Sequence, residues 1–263
     1  MSPVLIRRSR ASALLFGATV LSAIGLPGLA QTAVAIKVIG VVPVKAALDD
    51  IAVAFEKASG HTVVIEYGGP ESTNKIAAGE PFDVVITTSA NLDTLINGGF
   101  IFPDSRAAFG ITTVSLAYRT GTPRPDTSTP DALKAVLLGA KAISMSDPVA
   151  GAPASIYFAG VIQPLGISED VQRKAILTKI GQGAFPVGDG RADIGVAQTS
   201  EIALVPGLEA VPVSPTNPKG RFAWVAGVSS KSMDVAGARA FGKFILGPAA
   251  TAIRRAKGFA VET

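Results

Sequence analysis

The residues that most often carry chemistry are scarce in this chain. There is no cysteine and only one histidine, His61. Thiolate chemistry, disulfides and a lipid-bearing cysteine are therefore excluded, and any Ser-His-Asp arrangement would have to use that one imidazole. His61 follows Gly60 and precedes the apolar run TVVIEY, a turn between a helix end and a strand, where a solvated histidine is the ordinary finding. No G-x-S-x-G elbow is present, and zinc ligands are lacking altogether. Glu71, Asp83, Asp147, Asp189 and Asp193 lie near predicted loops or strand ends, but spacing alone brings no two of them together as an acid–base pair. Gly188-Asp189-Gly190 is too short and too acidic for a phosphate loop and reads as a turn. The expectation is a protein that binds rather than catalyses, with no catalytic residue, cofactor or metal.

Small and hydroxyl residues cluster instead where strands end. In YGGPESTNKI, residues 67–76, Gly68-Gly69 closes an apolar strand pattern, and Ser72, Thr73 and Asn74 supply capping oxygens and free N–H groups at a helix start. Val41 to Val44, Thr87 to Ser89 and Asp147 to Ser155 are similar junctions. Open parallel sheets bind ligands outside the carboxyl ends of their strands, so these junctions are the candidate site.

The elements that must position them alternate. Strand patterns IKVIGVV, HTVVIEY, PFDVVITTS, TTVSLAYR, KAISMSD, ADIGVAQ, LEAVPV and FAWVAGVSS are interleaved with helix patterns. The latter are AALDDIAVAFEKASG, STNKIAAGE, NLDTLINGGF, DALKAVLLG, ASIYFAGVIQPLG, SEDVQRKAILTKI, a start at EIALVPGL, and the closing region 235–259. This order predicts an α/β protein with mainly parallel sheets and helices on both faces.

Ahead of these elements lies a leader. MSPVLIRRSR is a basic segment, ASALLFGATVLSAIGL an apolar one, and Ala33-Val34-Ala35 a cleavage pattern, with cleavage after Ala30 as the alternative. The apolar run is short for a membrane span and contains Gly17, Gly25 and Pro27, so residues 1–35 read as a signal peptide. The full chain carries a formal +4; Arg7, Arg8 and Arg10 supply three of those charges and residues 1–35 hold no acid, which leaves the mature chain near +1. A nearly neutral chain gives no case for nucleic acid. The location expected is the periplasm, as a soluble protein and not a lipoprotein.

The order of motifs over residues 36–263 resembles the periplasmic molybdate-binding protein family, substrate-binding components of ABC transporters. The carriers are KAALDDIAVAFEKASGHTVVIEYGG, IAAGEPFDVVITTS, DPVAGAPASIYFAGVIQPLG, GDGRADIGVAQTSEI and FGKFILGPAATAIRRAKGF. The resemblance implies a two-lobed type II periplasmic binding protein, with residues 36–118 plus 221–263 as one lobe and 119–220 as the other. It also implies a monomer, a ligand held between the lobes and a membrane permease as partner. Family members hold a tetrahedral oxyanion with hydroxyls and backbone N–H groups.

Carried over motif by motif, the ligand-binding positions are Val42, Pro43, Gly69, Ser72, Thr73, Thr88, Ala154, Ser155, Ile180 and Gln198. Several depart from the family. Val42 and Pro43 stand where it shows hydroxyl residues, Pro70-Glu71 interrupt its Gly-Gly-Ser-Gly, and Gln198 stands where a tyrosine is common. Glu71 adds a negative charge near an anion seat unless it caps the helix behind it. The resemblance thus implies capture of a small anion such as molybdate or tungstate for an importer. The departures raise the alternative of a small organic acid in a more apolar cleft, with Lys45 or Arg124 as possible counter-ions. A secreted enzyme or a sensor-linked binding module is the remaining reading.

Overall fold

A computed structural model describes residues 35–68, 71–214 and 216–261, without the side chains of residues 71–73. The leader, apart from Ala35, and Gly69 and Pro70 lie outside the described residues.

The chain folds into two α/β lobes that share strands. The first half of the sheet runs β2 (Val63–Gly68), β1 (Ile36–Val41), β3 (Val84–Thr88), β9 (Arg221–Val228), β4 (Ala107–Arg119). β1 pairs in parallel with β2 and β3, while β9 runs antiparallel to β3 and β4. The second half continues from β4 through β7 (Ile194–Gln198) and β5 (Ile143–Ser146) to β6 (Ala175–Thr178), with β8 (Leu208–Pro212) on the other side of β4. β5 is parallel to both β6 and β7. β4 serves both halves: residues up to Thr113 pair with β9, and residues from Val114 onward pair with β7 and β8.

Side chains alternate across each strand as period-two patterning requires. On one face of the first half, Ile36, Val38, Val84, Ile86, Trp224 and Ala226 pack with α1 (Lys45–Ser59), α9 (Val235–Leu246) and α10 (Pro248–Ala256). On the other face, Ile39, Val85 and Val225 pack with Leu92 and Leu95 of α3 (Ser89–Asn97) and Ile76 of α2 (Glu71–Ala77). The second half buries Leu116, Ile143 and Val196 against α4 (Pro130–Gly139), α5 (Pro153–Ile162) and α6 (Ser168–Arg173). A smaller cluster of Ala117, Ala184, Ala197 and Ile202 lies beside α7 (Phe185–Gly188) and α8 (Thr199–Ile202). Among the described residues no helix is long and apolar enough to cross a membrane.

Two elements differ from the sequence expectation. SEDVQRKAILTKI is not one helix: α6 stops at Arg173, and Ala175–Thr178 form β6, paired residue for residue with β5 from Ile143↔Ala175 to Ser146↔Thr178. The polar SEDVQR segment keeps helical character, but parallel pairing with a buried strand overrides the propensity of AILT. β4 also begins earlier than expected, at Ala107, because β9 continues to pair with it across a bulge between Ala108 and Gly110. Gly110 has φ +145°, and a Cβ there would meet Ala260 O and the Phe259 side chain at 3.2 Å.

That stretch of β4 is anchored by a buried cation. Arg254 of α10 is 1% exposed and donates to Ala108 O (3.1 Å), Phe109 O (2.5 Å), Ala250 O (3.3 Å) and Thr251 Oγ1 (2.8 Å). Its acceptors are neutral oxygens, so removing the guanidinium strands several buried carbonyls at once. Arg254→Met, which keeps the length of the side chain, is expected to lower the unfolding free energy by about 2–4 kcal/mol in denaturant titrations; a change below about 0.5 kcal/mol would show that the anchor contributes nothing.

Candidate functional site

Strand β1 delivers the chain into a 3-10 turn, Val42-Pro43-Val44, that leads directly into α1. The residue before α1 is Val44 and the residue before α5 is Ala152, and neither makes a side-chain cap. The Lys45 N–H that opens α1 donates to Val42 O of the preceding turn, whereas the Ala154 and Ser155 N–H groups at the start of α5 keep their donor capacity and the positive end of the helix dipole. Thr88 accepts from Asn91 N at the start of α3, Thr129 from Ala132 N at α4 and Asp234 from Gly237 N at α9, whereas α6, α7 and α10 also begin without a side-chain cap.

The turn after β6 carries Ile180 and Gly181 and is clamped to the ends of β5 and β7. Ser146 Oγ donates to Lys179 O (3.1 Å) and Ser144 Oγ to Gly183 O (2.6 Å). At Gly183 a Cβ would stand 2.5 Å from Val196 O, so the backbone approaches as only glycine allows. Gly181 has φ +81°, and a Cβ on it would overlap Val42 Cγ1 and lie 3.9 Å from Glu201 Oε1. Val42 of the first lobe therefore packs on the backbone of the second at this point.

Gln198 ends β7, opposite Val114 of β4. Its side chain sits in a buried polar relay: Trp224 Nε1 donates to Thr112 Oγ1 (2.8 Å), and Thr112 Oγ1 donates to Gln198 Oε1. All three residues are 4% exposed or less. An indole has only a proton to give, and Thr112 has one proton of its own to pass on, so the relay consumes the acceptor end of Gln198. Nε2, buried, is left without a hydrogen-bond partner. The glutamine thus offers N–H donors and no acceptor.

Gln198 and Glu201 also form a capping box at the start of α8, with Gln198 N donating to Glu201 Oε2 (2.9 Å). Glu201 is 4% exposed and forms no ion pair with a described residue. Burial pushes its carboxyl up to about 7, and the Gln198 N–H opposes that only in part. Ser200 Oγ, next in the same turn, is buried and unpartnered.

The remaining expected residues fall as follows. Pro43 is buried and has no N–H to offer. Thr88 caps α3, with Asn91 Nδ2 also reaching Thr87 Oγ1 (3.3 Å). Ser155 Oγ donates to Ser146 O (2.6 Å), which leaves its backbone N–H, with that of Ala154, as what the start of α5 can present. Ile180 is half-buried. Ser72 and Thr73 fall in the first turn of α2, their side chains beyond description, and Gly69 lies outside the described residues. Of the suggested counter-ions, Lys45 Nζ is held by Asp49 Oδ2 (2.7 Å) above the Tyr67 ring, and Arg124 is exposed and lines cavities on the second lobe beside Pro125 and Asp126. Asp83, Asp147 and Asp193 each accept from nearby backbone N–H groups, and Asp189 pairs with Arg191. Among the described residues no cluster suits a metal ion. A cavity of about 710 Å³ lies between α4, α5 and the loop around Asn217.

Sequence reasoning missed Thr112, Gly181 and Glu201. The first is identified only by strand pairing, but Gln198-Thr199-Ser200-Glu201 after an apolar strand carries a capping-box spacing.

Two measurements test this geometry. Gly181→Ala must both strain a left-handed backbone and push Val42 away, so a loss of about 1–3 kcal/mol in stability is expected; an unchanged denaturation midpoint would refute the contact. Glu201 is bound to its proton more tightly in the folded chain than in the unfolded one. Its neutral form therefore stabilises at low pH, and that contribution is lost as pH rises from about 4.5 toward about 7. Comparing wild type with Glu201→Gln across this window should show a downward stability slope in the wild type, of order 3 kcal/mol in total, that the variant lacks.

Set beside known proteins, the chain matches the family described as bacterial extracellular solute-binding protein over residues 36–260. It is 30% identical over 203 residues to an aconitate isomerase from Pseudomonas sp., covering 74% of this chain and 76% of that one. Its fold is similar to the Azotobacter vinelandii periplasmic molybdate-binding protein, with TM-score 0.65, 24% identity, and 87% of this chain and 100% of the other covered. It is also similar to a sulfate-binding protein from Mycobacterium tuberculosis, with TM-score 0.61, 18% identity and 86% of each chain covered. The two-lobed architecture expected from the sequence is thus the architecture found. A chain with this sheet order, matched over nearly all of its described length, belongs to the bacterial extracellular solute-binding protein family.

Proposed function

We propose that this protein is an exported solute-binding protein that captures a small organic acid between its lobes and delivers it to the permease of an ABC importer. The observation that carries this reading is Gln198, whose acceptor is consumed by Thr112 and whose buried Nε2 has no partner. A donor-only group waiting in a buried site calls for an acceptor, and a carboxylate is the acceptor that an anion of this size brings. The uncapped start of α5 adds backbone donors of the same sign.

An organic acid is favoured over molybdate or tungstate on two grounds. Val42 and Pro43 put apolar surface where a tetrahedral oxyanion would need hydroxyls. The relative named aconitate isomerase bears in its name an unsaturated tricarboxylic acid, a ligand with apolar carbon between its charged ends. The cleft lining in this reading is Val42, Pro43, Thr88, Ala154, Ile180 and Gln198. The role is binding, in keeping with the family; export rests on the leader at residues 1–35.

A thermal-shift series with trans-aconitate, citrate, molybdate and tungstate tests the assignment. A carboxylate present at a hundred times its Kd should stabilise the protein by about 2.7 kcal/mol, and Gln198→Leu should weaken that ligand roughly tenfold or more. A shift with molybdate or tungstate and none with either carboxylate would overturn the organic-acid reading.

A further inference from the structure

Glu201 stands where the cleft elements meet. α8 packs against the Val42–Val44 turn, α1, β4, β7 and β8. Oε2 of Glu201 caps Gln198 N, while Oε1 accepts no hydrogen bond from a described residue and lies 3.9 Å from the point where a Cβ on Gly181 would sit, beside Val42. No charged group on the surrounding elements neutralises it. On α1, Lys45 pairs with Asp49, Asp50 pairs with Lys257, Glu56 accepts from Val63 N, and Lys57 lies in the last turn. On β4, Arg119 donates to Val187 O and Tyr118 to Glu209 of β8, while the Val42–Val44 turn and β7 carry no titratable side chain. Lys179, on the turn that bears Gly181, forms no ion pair with Glu201, and the same holds for every other cation among the described residues.

An organic anion entering this site meets a second acid with no cation between them. If Glu201 were charged, the two would repel at close range in a poorly screened environment. If it is neutral, its O–H adds a second donor at the helix start that Gln198 caps. We propose that Glu201 is the proton carrier of the cleft: in the liganded state it is a neutral carboxylic acid whose O–H donates to a carboxylate oxygen of the bound organic acid, so that capture takes up one proton from solution. The bookkeeping is simple: one proton moves from water to Oε1, no covalent bond to the ligand forms, and the proton returns to water when the ligand leaves. The position of Glu201 supports this independently of its acidity, but burial already holds the empty site near half-protonation at neutral pH. A bound carboxylate adds a second negative charge beside Glu201 and raises its pKa much further, so that the liganded carboxyl stays protonated well above neutral pH.

The inference rests on reading the cleft as a carboxylate site, and the test separates the two. Titration calorimetry of the intact chain with trans-aconitate and with citrate, at pH 7, 8 and 9 in buffers of different ionisation enthalpy, measures affinity and proton uptake together. Above pH 8 the ligand's own carboxyls are ionised, so protons taken up belong to the protein. The wild type should take up close to one proton per ligand at pH 9 and lose affinity about tenfold per pH unit above 8. Glu201→Gln keeps an acceptor for Gln198 N and a neutral donor; it should take up none and bind with pH-independent affinity. Binding by the wild type without proton uptake, or with a flat pH profile, overturns the role of Glu201 and leaves the carboxylate site standing. Failure of both acids to bind at any pH overturns the carboxylate site, and this inference with it. The proton count in the wild type decides the matter even where the variant folds poorly.

Discussion

Thr112 has a single proton, and where that proton goes decides which end of Gln198 is left without a partner. Trp224 Nε1, a donor with no alternative role, faces the Thr112 hydroxyl, and the hydroxyl in turn faces Gln198 Oε1. Each step is forced by the donor and acceptor inventory. The relay begins on β9, passes through β4 and ends on β7, so it runs along the two strands that join the lobes. A glutamine alone is ambiguous, equally ready to donate or accept. Fixed at its oxygen by a buried relay, it becomes a directed donor, and the low dielectric around it makes a missing partner costly.

The same economy of charge holds around the cleft. Lys45, the cation nearest in sequence to the Val42–Val44 turn, is bound to Asp49, which also accepts from Tyr67. In the proposed site the groups offered to a ligand are dipoles: the helix start at α5 and an amide on β7. Fixed dipoles need no counter-ion of their own and lose little on desolvation, whereas a lone buried cation would be costly while the site is empty. Capture and release of an anion both remain accessible under that arrangement. Val42 and Gly181 touch through apolar surface, a contact between the lobes that adds no charge.

Much of this was legible in the residues. The strand–helix alternation follows from period and residue type, and the interest of positions 42, 43 and 198 from the family resemblance. The role of Gln198 did not, because it depends on Thr112 and Trp224, 86 and 26 positions away, and only strand register brings them together. Gly181 was invisible for a similar reason: its neighbour Val42 belongs to the other lobe. β6 was read as helix because AILT follows a helical segment without a break, and only the available edge of β5 settles its conformation.

Glu201 shows how a structural duty and a functional one can share an atom group without conflict. As third residue of α8 its first task is to accept from Gln198 N, and a carboxyl oxygen can do so whether or not the other oxygen carries a proton. The helix start favours the ionised form, but that preference is worth about 0.3–1 kcal/mol and extends over one turn. Removing an unpaired carboxylate from water costs several kcal/mol, so desolvation wins and the carboxyl is drawn toward neutrality. An exposed capping glutamate would stay charged and serve the helix alone. Placed against Gly181 and Val42 instead, the same residue keeps its cap and carries a proton that the chemistry of the cleft can use.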